Sequence, residues 1–354
     1  MNSPYFCTGI FKLNSMLKTH PHKYVIYWLL SGCLLISMMV IIGGVTRLTN
    51  SGLSMTDWSL ISEVVPPLNE AEWTDAFEEY KKFPEYQKIN KGMELPEFKK
   101  IFFWEYFHRL FGRVIGLVFI IPCLFFWIKN RFPQGFKPKM VLIFFLGGFQ
   151  GFLGWWMVKS GLVDRPEVSH LRLAAHLISA FGLISYTFWV MLELYFEKPL
   201  SAHPKLNKWI KWFLPLLVIQ IIYGGFVAGL KAGLLCPSFP SMCNVGHLLQ
   251  GNWLGNVQSG MPEHLVKLNL QNIHRLLAYL VYFTVALLAY KSRSWKLSSL
   301  AQSGVNTLFL LVNLQFLLGV FTLIYEVPIA LGVLHQFGAL LVLLSSVFLL
   351  KVSR

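Results

Sequence analysis

Two stretches decide the architecture: GGVTRLTNSGL at residues 43–53 and GGFVAGLKAGL at residues 224–234. Each ends a long apolar run with a glycine pair and then passes into a turn-forming segment. Further pieces recur at matching places on either side. EYFHRLFG at 105–112 returns as QNIHRLLA at 271–278. Gln150 and Gly154 return as Gln315 and Gly319, and His176 is matched by His335. Self-similarity of this kind marks a duplicated structural unit.

The repeated unit is built for a membrane. Apolar residues make up 55% of the chain and charged residues 14%, against about 25% charged in an ordinary soluble domain. Eight runs approach the roughly 20 residues that a helix needs to cross the hydrocarbon layer. They fall near 24–45, 105–128, 140–159, 172–194, 208–230, 271–290, 304–325 and 329–350. Lys and Arg gather in every second connection, as at Lys129, Arg131, Lys137 and Lys139, and again at Lys198, Lys205, Lys208 and Lys211. This is the positive-inside pattern. It assigns both termini to the cytoplasmic side and the long first loop, 46–103, to the outside. The net charge of +14 therefore belongs to topology and membrane lipid, not to nucleic acid.

The expected fold is an all-α polytopic membrane protein, with eight transmembrane helices as two tandem four-helix bundles. An even number of crossings per half makes the two units parallel. The expected organisation is a cytoplasmic tail at 1–23, a first unit at 24–195, a cytoplasmic linker at 196–207 and a second unit at 208–354. Within the first loop, 69–80 mixes acids with Trp73, Phe77 and Tyr80, the pattern of a helical cap. Lysines precede the first apolar run without a small-residue cleavage site, so that run reads as a retained anchor.

Of ten histidines, four occupy equivalent places in the repeat: His108, His176, His274 and His335. Each is read as beginning an even-numbered span, hence near the outer surface. Ionisable residues at membrane depth are costly and face the bundle interior. One such histidine alone reads as an interhelical hydrogen-bonder. Two repeat-related pairs read as axial ligands of two haems. Zinc fits less well, because no carboxylate or thiolate joins both pairs. His20, His22, His203, His247 and His264 fall in loops or tails and read as solvated, and His170 shares the mouth of His176 without a repeat partner.

The repeat breaks at one place. Glu105 stands one turn before His108, on the same helix face, where the second half has Gln271 before His274. A carboxylate can exchange protons and an amide cannot, so the first half is the candidate catalytic site and the second a candidate electron-transfer site. The alternative for Glu105 is a solvent-facing carboxylate. Arg47, Arg109, Lys231 and Arg275 lie around the two pockets as candidate propionate contacts, with Arg47 equally readable as a snorkelling anchor. Gly43, Gly44, Gly224 and Gly225 permit close approach of a helix or a flat macrocycle. Cys33 and Cys123 read as packing residues, and Cys236 and Cys243 lie together in an outer loop where a disulfide is permitted.

Taken in order, GGVTRLTNSGLS, EYFHRLFGRVIG, QGFLGWWMVKSGL, the AAH of the fourth span, NIHRLLAYL and LHQFGALL resemble the haem A synthase family. The similarity covers nearly the whole chain from about residue 24, and the long first loop resembles the proteobacterial and mitochondrial branch. The resemblance implies oxidation of a ring methyl of haem O to a formyl group, giving haem A for assembly of haem–copper oxidases. It implies that His108 and His176 flank the substrate haem O, that Glu105 is the catalytic carboxylate, and that His274 and His335 ligate a haem b cofactor. It also implies two successive hydroxylations with water as the oxygen source, and electron flow through haem b to an acceptor that the sequence does not name.

Two imidazoles on the second-half haem leave no open iron position for oxygen. The first loop holds no cysteine, where some relatives carry a reactive pair, so thiol-dependent haem transfer through that loop is excluded. The Cys236/Cys243 pair matches a disulfide position of some relatives. Haem O synthase as donor and a homo-oligomer are compatible partners. The expected location is the bacterial inner membrane, with the mitochondrial inner membrane as the alternative. Two other readings stand beside this one: a two-haem membrane cytochrome b that only carries electrons, and a haem transporter or chaperone.

Overall fold

The computed structural model describes residues 20–56, 64–163, 166–196, 202–245, 253–255 and 261–354. His247, most of the 1–23 tail and part of the 196–207 linker lie outside the described residues. Among the described residues there are ten α-helices and no strand. These are α1 Lys23–Leu48, α2 Glu70–Lys81, α3 Pro84–Lys88, α4 Leu95–Ile128, α5 Lys137–Lys159, α6 His170–Tyr195, α7 Pro204–Gly229, α8 Glu263–Ser292, α9 Ser299–Ile324 and α10 Ile329–Val352. All but α2 and α3 are long and apolar enough to cross a membrane. The chain is a multi-pass, all-helical membrane protein.

Two spans begin earlier than their apolar runs. α4 starts at Leu95 rather than near 105, and α8 at Glu263 rather than near 271. An apolar run detects only the part of a helix that needs hydrocarbon, and a capped helix continues beyond it. The start of α4 is closed by a capping box between Glu94 and Glu97, which satisfies amide groups that the helix leaves unpaired. His108 and His274 therefore sit several turns inside their helices instead of beginning them. His176 and His335 do lie early in α6 and α10.

α1 packs on α4, α6 and α10, and α5 packs on α6 and α4. In the second half α7 packs on α8 and α10, and α9 on α8 and α10. α7 also lies along α6, and α10 along α6. The main apolar core, with Leu29, Phe181, Ile184, Ile210 and Leu340 fully enclosed, gathers toward the end of the bundle away from the first loop. Burial of such side chains contributes about 1.5–3 kcal/mol each. The opposite end, called the loop end here, is left for polar groups.

At the loop end the expected 69–80 cap is present as α2. Asn69 Oδ1 accepts from Glu72 N at 2.9 Å, a side-chain cap of the first turn. Phe77 and Tyr80 of α2 bury against Phe98 and Phe102 of α4, the Phe77 and Phe98 rings stacking at 5.0 Å.

The repeated glycine pairs explain how the halves meet. A Cβ at Gly44 would stand 3.4 Å from Val333 and 3.5 Å from Gln336; at Gly225 it would stand 3.0 Å from Ala174 and 3.7 Å from Leu177. Val333 and Ala174 each precede a repeat histidine by two residues, and Gln336 and Leu177 each follow one. The same contact is made twice, α1 on α10 and α7 on α6.

Candidate functional site

Both repeated segments leave their helix through a left-handed residue at the same repeat position, Asn50 at φ 51° and Lys231 at φ 51°. The chain then folds back over the loop end of the next span. In the first half this brings Ser54 and Met55 onto Glu105. Its Oε2 accepts from Ser54 Oγ at 2.8 Å and from Met55 N at 2.9 Å, and its Oε1 pairs with Arg109 Nη2 at 2.7 Å. Glu105 is 3% exposed and Arg109 8%, so Glu105 is not the solvent-facing carboxylate of the alternative reading. Arg109 Nη2 also donates to Met55 O at 2.9 Å.

The equivalent place in the second half is surrounded by acceptors. Gln271 Nε2 donates to Gly233 O at 3.4 Å and Cys236 O at 3.3 Å, and Arg275 Nη2 donates to Pro240 O and Ser241 O at 3.2 and 2.8 Å. The break in the repeat thus has a local cause. Donors converge on position 105 and carbonyls on position 271, so one site holds a carboxylate and the other an amide. Three of the four carbonyls, those of Cys236, Pro240 and Ser241, belong to a loop closed by the Cys236–Cys243 disulfide, Cα–Cα 6.1 Å.

His108 and His176 line one cavity of about 1140 Å³, together with Gly43, Glu105, Arg109 and Gln150. The cavity runs down the first half to Trp28 and Phe119, through mainly apolar lining. It exceeds the 300–1,000 Å³ usual for small-ligand sites, as a large ligand with an apolar tail requires. A Cβ at Gly43 would lie 3.2 Å from His108 Nε2. In the second half the His274 and His335 rings lie 6.5 Å apart, centre to centre.

Each later histidine is held by a repeat-related glutamine. Gln150 Nε2 lies 3.1 Å from His176 Nδ1 and donates to His176 O at 3.0 Å; Gln315 Nε2 lies 3.1 Å from His335 Nδ1 and donates to His335 O at 2.8 Å. The sequence shows that these glutamines recur but not what they hold.

The second-half pair fits an axially ligated haem. At that spacing the two imidazoles would hold a haem between them, which would supply one-electron redox chemistry there. A Cβ at Gly224 would stand 3.1 Å from His274 Cε1 and crowd that ring, and one at Gly319 would stand 2.8 Å from His335 Cε1 and displace it. Among the described residues no three His, Cys, Asp or Glu cluster as a metal would need without a macrocycle.

The four candidate propionate cations all have protein partners. Besides Arg109 and Arg275, Arg47 Nη2 donates to Ala228 O at 3.0 Å and Gly229 O at 3.1 Å, closing the last turn of α7. Lys231 pairs with Glu167 at 3.1 Å. Arg47, Arg109 and Lys231 also line the first-half cavity. His170 Nε2 lies 2.8 Å from Leu254 O, away from a ligand role, and His203 is not simply solvated: its Nε2 accepts from Ser298 N at 3.2 Å. One residue of the site carried no sequence signal. Glu85, in α3, is 5% exposed and lines the cavity beside Arg47 and Glu105.

A family model described as cytochrome oxidase assembly protein matches residues 26–347. The chain is 48% identical over 327 residues to a haem A synthase of Flavobacterium johnsoniae, covering 91% of this chain and 95% of that one. It is 46% identical over 337 residues to a haem A synthase of Flavobacterium psychrophilum, with 93% and 98% covered. Against a haem A synthase of Nitrosospira multiformis the identity is 43% over 329 residues, with 90% of each chain covered.

Proposed function

Since the chain belongs to the haem A synthase family of cytochrome oxidase assembly proteins, we propose that it oxidises a ring methyl of haem O to a formyl group in its first half and holds haem b in its second. The observation that carries this division is that His108, His176 and a buried carboxylate share one large cavity, while His274 and His335 meet in a glycine cradle without a carboxylate.

His108 and His176 would hold the substrate haem, and the apolar length of the cavity would take its isoprenoid tail. Converting methyl to formyl with water releases protons and electrons in equal number. Glu105 is placed to accept protons and to stabilise positive charge developing at the methyl carbon. Arg109, Ser54 and the Met55 amide keep that carboxylate in one position throughout. Haem b, when bound between His274 and His335, supplies one-electron transfer. The halves would act as two four-helix units, with the loop end on the outer face of a bacterial inner membrane and both termini on the cytoplasmic side.

Pigment extraction from the purified protein tests the reading. Haem b together with haem O or haem A is expected. Haem b alone would instead favour a cytochrome that only carries electrons.

A further inference from the structure

Of the acidic residues described in the first loop, Glu85 alone is buried. Glu85 lies in α3 and lines the cavity at the loop end. Tyr80 OH donates to Glu85 Oε2 at 3.0 Å and accepts from Asn90 Nδ2 at 2.7 Å, while Asn90 N donates to Glu85 O at 3.0 Å. Tyr80 is fully enclosed against Phe98 of α4, so the carboxylate position is anchored to the helix that carries Glu105 and His108. Glu85 and Asn90 both line the cavity.

Glu105 is poorly arranged to pass protons on by itself. Its two oxygens face three donors, one of them the Arg109 of its ion pair, and Ser54 and Met55 beside it are themselves buried. The second half, where no oxidation is assigned, has backbone carbonyls over its equivalent glutamine. We propose that Glu85 relays protons between the first-half cavity and the solution at the loop end, taking them from the neighbourhood of Glu105 and releasing them past the α2–α3 cap. The proposal rests on the reading that the first half oxidises haem O. Only protons move in this step. A proton leaves the cavity, resides on the Glu85 carboxylate and passes to water outside.

The charges facing Glu85 suit this role. Burial pushes its carboxyl up to about 7, and the charge of Glu105 on α4 acts in the same direction. The Tyr80 hydrogen bond, Lys231 beyond α7 and Arg47 on α1 pull it down. Burial also raises the Tyr80 hydroxyl, which keeps that group a donor. A carboxylate with both protonation states accessible near neutrality can load and unload. Because the acceptor is the ionised form, turnover should rise as pH rises through about 7.

The test uses full-length protein in membranes supplied with haem O. Wild type, Glu85→Gln and Glu85→Asp are compared for haem A formation across pH, with infrared titration of carboxyl bands as a readout independent of turnover. Glu85→Gln should lose the rate limb near pH 7 and a carboxyl band titrating there. Its rate should fall by up to about 10²-fold, the low end of what a positioned proton acceptor contributes, with KM for haem O unchanged. Glu85→Asp should restore much of both signals, and it carries the test if the Gln variant does not fold. An unchanged pH profile in Glu85→Gln overturns the relay. So does a pH-independent loss in both variants, which would make Glu85 only an anchor for the cap. If wild type makes no haem A, the functional reading fails and the relay falls with it; if wild type makes it and the Glu85 variants match wild type, only the relay fails.

Discussion

At Glu105 the packing of the loop end and the proposed proton chemistry fall on a single side chain. Copying the second half by Glu105→Gln exchanges an acceptor for a group with two N–H donors, in a place where Ser54, Met55 N and Arg109 already donate. It also removes the carboxylate charge facing the Arg109 guanidinium, which is only 5% exposed as a side chain. Breaking a buried pair in this way costs about 3–5 kcal/mol. The expected outcome is therefore double. Haem A formation falls by about 10²–10⁴-fold through loss of the proton acceptor, and thermal stability falls while haem b remains. Haem extraction and thermal unfolding of the same preparation check both. Normal haem A at equal protein level would remove Glu105 from the chemistry.

Among the helices, α5 and α9 do the same work in each half: one glutamine from each holds the histidine of the following span. An oriented imidazole is a better ligand because its ring and tautomer are fixed, and losing such a partner typically weakens metal binding by about 10–100-fold. Gln315→Leu should accordingly loosen haem b and alter its spectrum, with the protein still folded. Gln150→Leu should leave the haem b spectrum intact and slow haem A formation instead. Optical and paramagnetic spectra of the two variants, with haem retention on dilution, separate these effects; a haem b defect in Gln150→Leu would contradict the division between halves.

In the whole molecule the two halves are not independent, because α1 and α6 of the first lie against α10 and α7 of the second. Loss of haem b should be felt throughout. His274→Ala or His335→Ala should abolish the tightly bound haem b and lower the unfolding temperature of the entire protein. A ligand at about 1,000 times its Kd stabilises by about 4 kcal/mol. A full haem b spectrum in both variants would end the assignment. Much of this arrangement is legible in the sequence: apolar runs show the spans, and comparison of the chain with itself isolates the four histidines and the Glu105/Gln271 break. What is not legible arises between distant segments. Glu85 reads like any loop acid until α2 docks on α4, Arg47 reads equally as a pocket cation or a snorkelling anchor and shows nothing of its bonds to the end of α7, and the early start of α4 depends on a cap outside its apolar run. The glycine contacts between the halves carry a last implication. Gly44 on Val333 and Gln336, and Gly225 on Ala174 and Leu177, form an isologous face, one that meets a rotated copy of itself. Such a face closes after two units. It leaves no unsatisfied copy to recruit a third, so stacking by this surface ends within one chain and cannot propagate into a filament.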